Sequence, residues 1–281
     1  MSKKERWTKG LILQEIESLE SKLKRRPVKG DNASLYFLTR KFFGSWNNAM
    51  KEAGFQIKIL QKPSIPAKLD QNLAYFLGLL ITDGHIVFDE THKKYKVMIF
   101  NSYGEEKEII ITLIKRLFDY NPSIRTKKTE FSKFPNHEVY ICSKNLAETL
   151  IKKFGIPSGA KSRTVKIPSY LFKSNKKEIA GFIRGVIDGD GSVSVNQVKI
   201  ASGSIEFLEG MRGLLKILDV NSGKICKEKN KGTWVVYIST IANLQKLYSC
   251  LYQDPEFFYP RKKKSWEKIF KSMFTPNKIL A

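Results

Sequence analysis

A chain of 281 residues, 42% hydrophobic and 12% aromatic, is long enough for two or three compact units and apolar enough to close their cores, which excludes a wholly disordered polymer. The 50 lysines and arginines outnumber the 27 acidic residues by +23, a surplus that concentrates polyanions; nucleic acid comes first, ahead of a merely basic soluble protein or an acidic membrane surface. Cys142, Cys226 and Cys250 lack CxxC spacing, and neither a signal peptide nor a bilayer-length apolar run is present, so a disulfide scaffold, a zinc ribbon and a membrane span are not expected. The expected setting is the cell interior, cytoplasm or nucleoid, with an organelle as the alternative.

Residues 7–54 predict three short helices. Leu11, Ile12, Ile16, Leu19 and Leu23 recur at helical spacing until Pro27 and Gly30. Asp31 or Asn32 can cap a second helix carrying Leu35, Leu38, Phe42 and Phe43, which Gly44 ends. Ser45 can cap a third, Trp46 to Ala53, stopped by Gly54. Tight turns between three helices suggest a helix-turn-helix-like domain over 1–56. Pro63 and Pro66 among lysine and serine read as a linker over 57–70.

An internal duplication follows, residues 71–168 and then 169–281. An apolar helix, Leu73 to Gly84, ends in Asp83-Gly84 and leads into strands at Ile86–Phe88 and Tyr95–Phe100, a helix from Glu105, strands at Ile124–Phe131 and Glu138–Cys142, and a helix from Ser143. The order recurs from Ile179: a helix ending in Asp190-Gly191, strand material over Ser192–Ser202, a helix from Ser204, strands near Ile225 and Val235, and a helix from Thr240. The interval from Asp83 to Asp190 is 107 residues, a domain-sized period. The expected fold is α+β: a duplicated αββαββα core with pseudo-twofold symmetry behind the three-helix domain.

Each repeat helix holds an interior glycine, Gly78 or Gly185, which costs about 1 kcal/mol against alanine unless close packing of two backbones compensates. If the two helices pack on each other, Asp83 and Asp190 emerge together at one end. Two carboxylates there repel each other and the negative end of the helix dipole, and a divalent cation reverses that balance. Oxygen-only ligands suit Mg²⁺, with Mn²⁺ as the substitute, and metal-assisted phosphodiester hydrolysis is the matching chemistry.

Ile183 to Gly191, IRGVIDGDG, and the looser Phe76 to Gly84, FLGLLITDG, resemble the two motifs of a LAGLIDADG homing endonuclease; Ile81 departs from the pattern by replacing one aspartate. Trp7-Thr8, the segment Phe43-Gly44-Ser45-Trp46-Asn47-Asn48-Ala49 and Ala53-Gly54 resemble the homing endonuclease associated repeat, which implies an accessory DNA-binding domain. The first resemblance implies site-specific cutting of both strands of double-stranded DNA, metal held by Asp83 and Asp190 with the backbone carbonyls of Thr82 and Gly189, and a lysine near each site. A lysine often stands three residues before the proline of Lys161–Pro168, where this chain has Val165, so Lys166 or Lys161 must serve; Lys262 is the match in the second repeat. A phosphate-neutralising role without catalysis is an equal reading of these lysines.

The remaining DNA contacts fall on polar positions. In the accessory domain these are Arg40, Lys41, Ser45, Asn47 and Asn48. In the second repeat, alternation turns Val193, Val195, Val198 and Ile200 toward the helices and leaves Ser192, Ser194, Asn196, Gln197 and Lys199 outward or in the turn, a face suited to a major groove. Lys227, Lys229 and Lys231 extend it, as do Lys93, Lys96, Arg125 and Lys127 in the first repeat, mostly as phosphate contacts. His85 follows the first Asp-Gly corner, where a DNA contact and a plain turn residue are the two readings. Both half-sites lie in one polypeptide, so a monomer without an obligate protein partner is expected, the product of an intron or other mobile element. A silent DNA-binding regulator, or a maturase acting on RNA, is the rival on the same fold, and a self-splicing intein is disfavoured.

Overall fold

The computed structural model describes residues 7–56, 61–128, 135–194, 196–229 and 232–274, in two compact units, Met1–Leu60 and Gln61–Ala281. In the first, helices α1 (Lys9–Leu23), α2 (Ala33–Phe43) and α3 (Trp46–Glu52) enclose Ile12, Ile16, Leu35, Phe43, Trp46, Ala49 and Met50. Thr8, Asn32 and Ser45 cap them by accepting from the backbone N–H of Leu11, Leu35 and Asn48. Gly44 closes α2 at φ 76°, a conformation that favours glycine. Asp31, the other candidate cap, instead pairs with Arg25 at 2.7 Å and accepts from the Val28 N–H.

The second unit runs α4 (Gln71–Thr82), β1 (Gly84–Asp89), β2 (Lys94–Asn101), α5 (Gly104–Phe118), β3 (Ser123–Lys127), β4 (Asn136–Ile141) and α6 (Lys144–Lys152), and then repeats the order. The second copy is α7 (Lys176–Gly189), β5 (Ser192–Ser194), β6 (Gln197–Ser202), α8 (Ile205–Ile217), β7 (Cys226–Lys227), β8 (Trp234–Ile238) and α9 (Ile241–Tyr252), followed by α10 (Pro260–Phe274). Both sheets are antiparallel with the same topology, β1-β2-β4-β3 and β5-β6-β8-β7. This is the expected α+β fold, with an αββαββα order in each copy. Helix α4 is buried at every position from Leu73 to Ile81, the condition of a helix that is apolar all round. No helix among the described residues is long and apolar enough to cross a membrane.

Two elements differ from the sequence expectation. Residues 61–69 are laid on the second unit: Gln61 Nε2 donates to the Asp119 carbonyl at 2.5 Å, the Ser64 N–H to Phe118 at 2.7 Å, and Lys153 Nζ to Ala67 at 2.6 Å, with Ile65 and Leu69 against the core. Helix α10 is the other, because Arg261-Lys262-Lys263-Lys264 masks an apolar stripe at Trp266 and Ile269; Pro260 at its first position is the local signal for it.

Candidate active site

Helices α4 and α7 touch backbone to backbone. A Cβ on Gly78 would strike the Phe182 carbonyl oxygen and stand 2.9 Å from the Gly185 Cα; one on Gly185 would strike the Tyr75 carbonyl oxygen and stand 3.0 Å from the Gly78 Cα. That approach carries both helix ends to one place, where Asp83 and Asp190 occupy the C-cap positions. Two carboxylates in mutual electrostatic reach result. Burial, and then the charge of Asp190, push the Asp83 carboxyl up to about 7. Asp190 is more open to solvent, yet the surrounding protein also raises its carboxyl, against Lys161 and Lys262.

The two lysines take corresponding places. Lys161 Nζ donates to the carbonyls of Leu80 and Gly84, each at 2.5 Å, and Lys262 Nζ donates to the carbonyl of Gly191, so each lysine grips the glycine that follows an aspartate. Burial lowers the Lys161 ammonium to about 8, opposed first by the charge of Asp190 and then of Asp83. Burial also lowers Lys262, with the Arg261 charge adding to it. Lys166 is exposed, acts on Glu206 and lines neither of the cavities that open beside the aspartates. The position three residues before Pro168 holds buried Val165.

A cavity of about 290 Å³ opens beside Asp190, lined also by Thr82, His85 and Lys161. A second, of about 270 Å³, opens beside Asp83, lined also by Gly189, Glu106 and Arg261. Thr82 thus faces the cavity of the other repeat's aspartate, and so does Gly189. A Cβ on Gly189 would strike Thr82 Oγ1 and stand 3.1 Å from Asp83 Oδ2, so glycine leaves the space beside that carboxylate open. No group of three or more His, Cys, Asp or Glu is arranged to hold an ion among the described residues. The paired aspartates still fit a hard divalent cation, whose shell is ordinarily completed by carbonyls, water and phosphate. Burial and the Lys161 charge lower the imidazolium of His85.

Several residues that shape the site are not singled out by the sequence. Asp188, 1% exposed, accepts at Oδ2 from the Tyr75 hydroxyl and the Tyr259 N–H, both at 2.8 Å, tying α7 to α4 and to the start of α10. Its burial pushes the carboxyl up to about 7 against those bonds. Fully buried Arg184 donates to the Phe257 and Leu251 carbonyls at 2.9 and 2.7 Å and lies 5.0 Å from the Tyr75 ring. Glu106, also buried, accepts from Asn101 Nδ2 at 2.9 Å and Arg261 Nε at 3.0 Å. Arg184 and Asp188 sit in the Ile183–Gly191 motif, and a charged residue inside an apolar helix is the signal that points to them.

The candidate DNA contacts divide. Val193, Val198 and Ile200 join the core, and Ser192, Ser194, Asn196 and Gln197 are exposed. Lys199 is held by Glu228 at 2.7 Å, and Lys96 by Glu138 at 2.7 Å with its Nζ 3.9 Å from the Tyr140 ring, so these two are neutralised within the protein. Arg125, Lys127, Lys227 and Lys229 are exposed, and Lys93 lies 3.4 Å from Glu90; Val195 and Lys231 fall outside the described residues. In the first unit Ser45 is occupied as a cap, and Asn48 Nδ2 donates to the Phe43 carbonyl at 2.9 Å, whereas Arg40, Lys41 and Asn47 are exposed.

Residues 177–251 match the LAGLIDADG-like domain and residues 7–56 the homing endonuclease associated repeat. Among curated proteins the chain is similar to the DNA-directed RNA polymerase subunit Rpo1C of Methanocaldococcus jannaschii, 29% identical over 217 residues, 75% of this chain and 22% of that protein. It is also similar to one chain of the A-type ATP synthase of Pyrococcus abyssi, 33% identical over 192 residues, 66% of this chain and 17% of that protein. The chain therefore spans about a fifth of the length of these relatives. Among solved structures, the homing endonuclease I-DmoI in complex with DNA and Ca matches at TM-score 0.54 and 20% identity, covering 69% of this chain and 96% of that one. The chain carries a homing endonuclease associated repeat followed by a LAGLIDADG-like domain, within a duplicated core that has the LAGLIDADG homing endonuclease fold.

Proposed function

We propose that this chain is a site-specific endonuclease that hydrolyses phosphodiesters in both strands of duplex DNA with a divalent cation, Mg²⁺ or Mn²⁺. The observation that carries the reading is the meeting of Asp83 and Asp190 at the ends of two helices in backbone contact, each opening on a cavity, with Lys161 lining the cavity of Asp190 and the charge of Lys262 acting on Asp83. Asp83 and Asp190 would hold the metal, with the carbonyls of Thr82 and Gly189 as further ligands. When bound, the ion supplies an activated water and neutralises charge on the phosphate. Lys161 and Lys262 fix the two corners by gripping Gly84 and Gly191, and their positive charge attracts the phosphate backbone. The exposed polar residues of β5 and β6 would reach base edges, and Arg125, Lys127, Lys227 and Lys229 the phosphates.

Support comes also from I-DmoI, whose structures include complexes with DNA and Mn and with DNA and Ca. The curated relatives point the same way by their dissimilarity: an RNA polymerase and an ATP synthase share little chemistry, yet the matched chain of each resembles this one over about a fifth of its length. A mobile module accounts for that pattern. With both half-sites in one polypeptide the enzyme would act as a monomer on an asymmetric target inside the cell, and residues 7–56 would add affinity as a tethered second contact. Incubating the protein and Mg²⁺ with a randomised duplex library and sequencing the cut ends tests the reading. One recurrent target with both strands broken is expected; uncut DNA, or a bound target left intact, would overturn it.

A further inference from the structure

The cavities beside Asp83 and Asp190 are built from corresponding positions, yet their linings are chemically unlike. Asn101 and Ser202 correspond, because each closes the turn into the next helix: Asn101 Oδ1 accepts from the Tyr103 N–H at 2.6 Å and Ser202 Oγ from the Ser204 N–H at 3.1 Å. Two pairs of positions break the likeness. The third residue of α5 is Glu106, and the third of α8 is Phe207. The residue before Lys262 is Arg261, and the residue before Lys161 is Ala160. All four line their cavities.

Arg261 is held on two sides. Its Nε donates to Glu106 Oε1 at 3.0 Å, and its guanidinium lies 4.3 Å from the centre of the Tyr103 ring. Glu106 is only 2% exposed, so this anchor is rigid, whereas the Arg261 side chain keeps 44% of its surface open. Of the five N–H donors of a guanidinium, the bond to Glu106 uses one, and the fork that binds phosphate with two parallel bonds stays available. Because the group is already oriented, less rotamer freedom is lost when phosphate arrives. The Asp190 cavity offers Ala160 in the same place and Phe207 where Glu106 would stand.

We propose that Arg261 binds a backbone phosphate of the strand cut at the Asp83 cavity, so that the two strands are cut at unequal rates. This rests on the endonuclease reading, and the test separates the two. Each strand of the duplex recovered from the library would carry its own end label, and single-turnover cutting would be followed for wild type, Arg261→Ala, Arg261→Lys and Arg261→Gln. In Arg261→Ala one strand should slow by about tenfold or more while the other changes by less than about threefold, so that nicked duplex accumulates. Arg261→Lys should recover part of the loss. Arg261→Gln, which can still bond Glu106 without a positive charge, should behave like Arg261→Ala and so separates phosphate binding from support of Glu106. Equal slowing of both strands, no slowing, or full activity in Arg261→Gln would overturn the proposal while leaving the enzyme an endonuclease. A wild type that cuts neither strand would remove both.

Discussion

Helix α4 is apolar and buried from Leu73 to Ile81, whereas α7 buries Arg184 and Asp188 among its apolar residues. The helices nevertheless meet along the same glycines and end in aspartates at the same cap position. What the duplication demands is therefore narrow: a bare backbone at the crossing and a carboxylate at the end. Interior positions are free to differ if a charged group brought in finds hydrogen-bond partners. Asp188 finds them at Oδ2 in Tyr75 and Tyr259, and Arg184 at Nε and Nη1 in the Phe257 and Leu251 carbonyls, while Asp188 Oδ1 and Arg184 Nη2 are buried without one; Ile81 stands where Asp188 does and needs no partner.

Removing the carboxylates at the two helix ends should have the greatest effect. Asp83→Asn and Asp190→Asn should each lower double-strand cutting by about 10³-fold, roughly 4 kcal/mol of transition-state stabilisation, while DNA affinity holds or rises slightly. Cleavage gels beside mobility-shift titrations measure both, and a single variant that still linearises DNA at the wild-type rate would mean that the two carboxylates are not equivalent.

The crossing comes next. Gly78→Ala and Gly185→Ala should each cost about 3 kcal/mol, because the added methyl meets backbone on the facing helix and neither side can yield. Gly104→Ala is the control, since a Cβ there meets nothing within 4 Å. Thermal unfolding of the metal-free protein reads the difference; equal melting of all three variants would deny the tight crossing.

Folding of the metal-free protein is linked to a proton at one of the helix ends. The Asp83 carboxyl titrates at about 7 in the folded protein against an ordinary value of 3.8, so the folded state binds more protons between those limits. Without metal, the stability tied to this group is complete below pH 3.8 and is lost as the pH rises through about 7. Asp83→Asn should consequently stabilise the metal-free protein at pH 8 by about 2 kcal/mol and flatten that part of the profile, with Asp188 supplying a remaining slope. Denaturant melts across the pH range check this; an unchanged profile in the variant would place the proton elsewhere.

The smallest effect concerns the sheets, where both copies neutralise a lysine with glutamate, Lys96 with Glu138 and Lys199 with Glu228. Exposed Lys127 has no such partner among the described residues. Lys127→Ala should reduce the slope of log affinity against log salt by about 0.9, and Lys96→Ala or Lys199→Ala by less than half of that. Equal slopes would mean that DNA displaces the glutamates.

Much of this architecture is legible in the sequence because it is encoded locally. The cap at Ser45 and the stop at Gly44 need only neighbouring residues, and the strand alternation around Val198 and Ile200 needs only a period of two. The double occurrence of an apolar helix ending in Asp-Gly places Asp83 and Asp190 without any tertiary information. The contacts that shape the cavities are of another kind. Lys161 reaches the Gly84 carbonyl across 77 residues, Tyr75 meets Asp188 across 113, and Arg261 meets Glu106 across 155. Local pattern is silent on such pairs, because a lysine at 161 and one at 166 differ only in what the folded chain sets beside them. Composition and periodicity determined the elements of the two copies up to α9, their duplication and the two carboxylates, but not α10 or the docking of residues 61–69; the crossing of α4 and α7 decided which distant side chains surround the carboxylates, since packing brings groups together by position in space and not by separation along the chain.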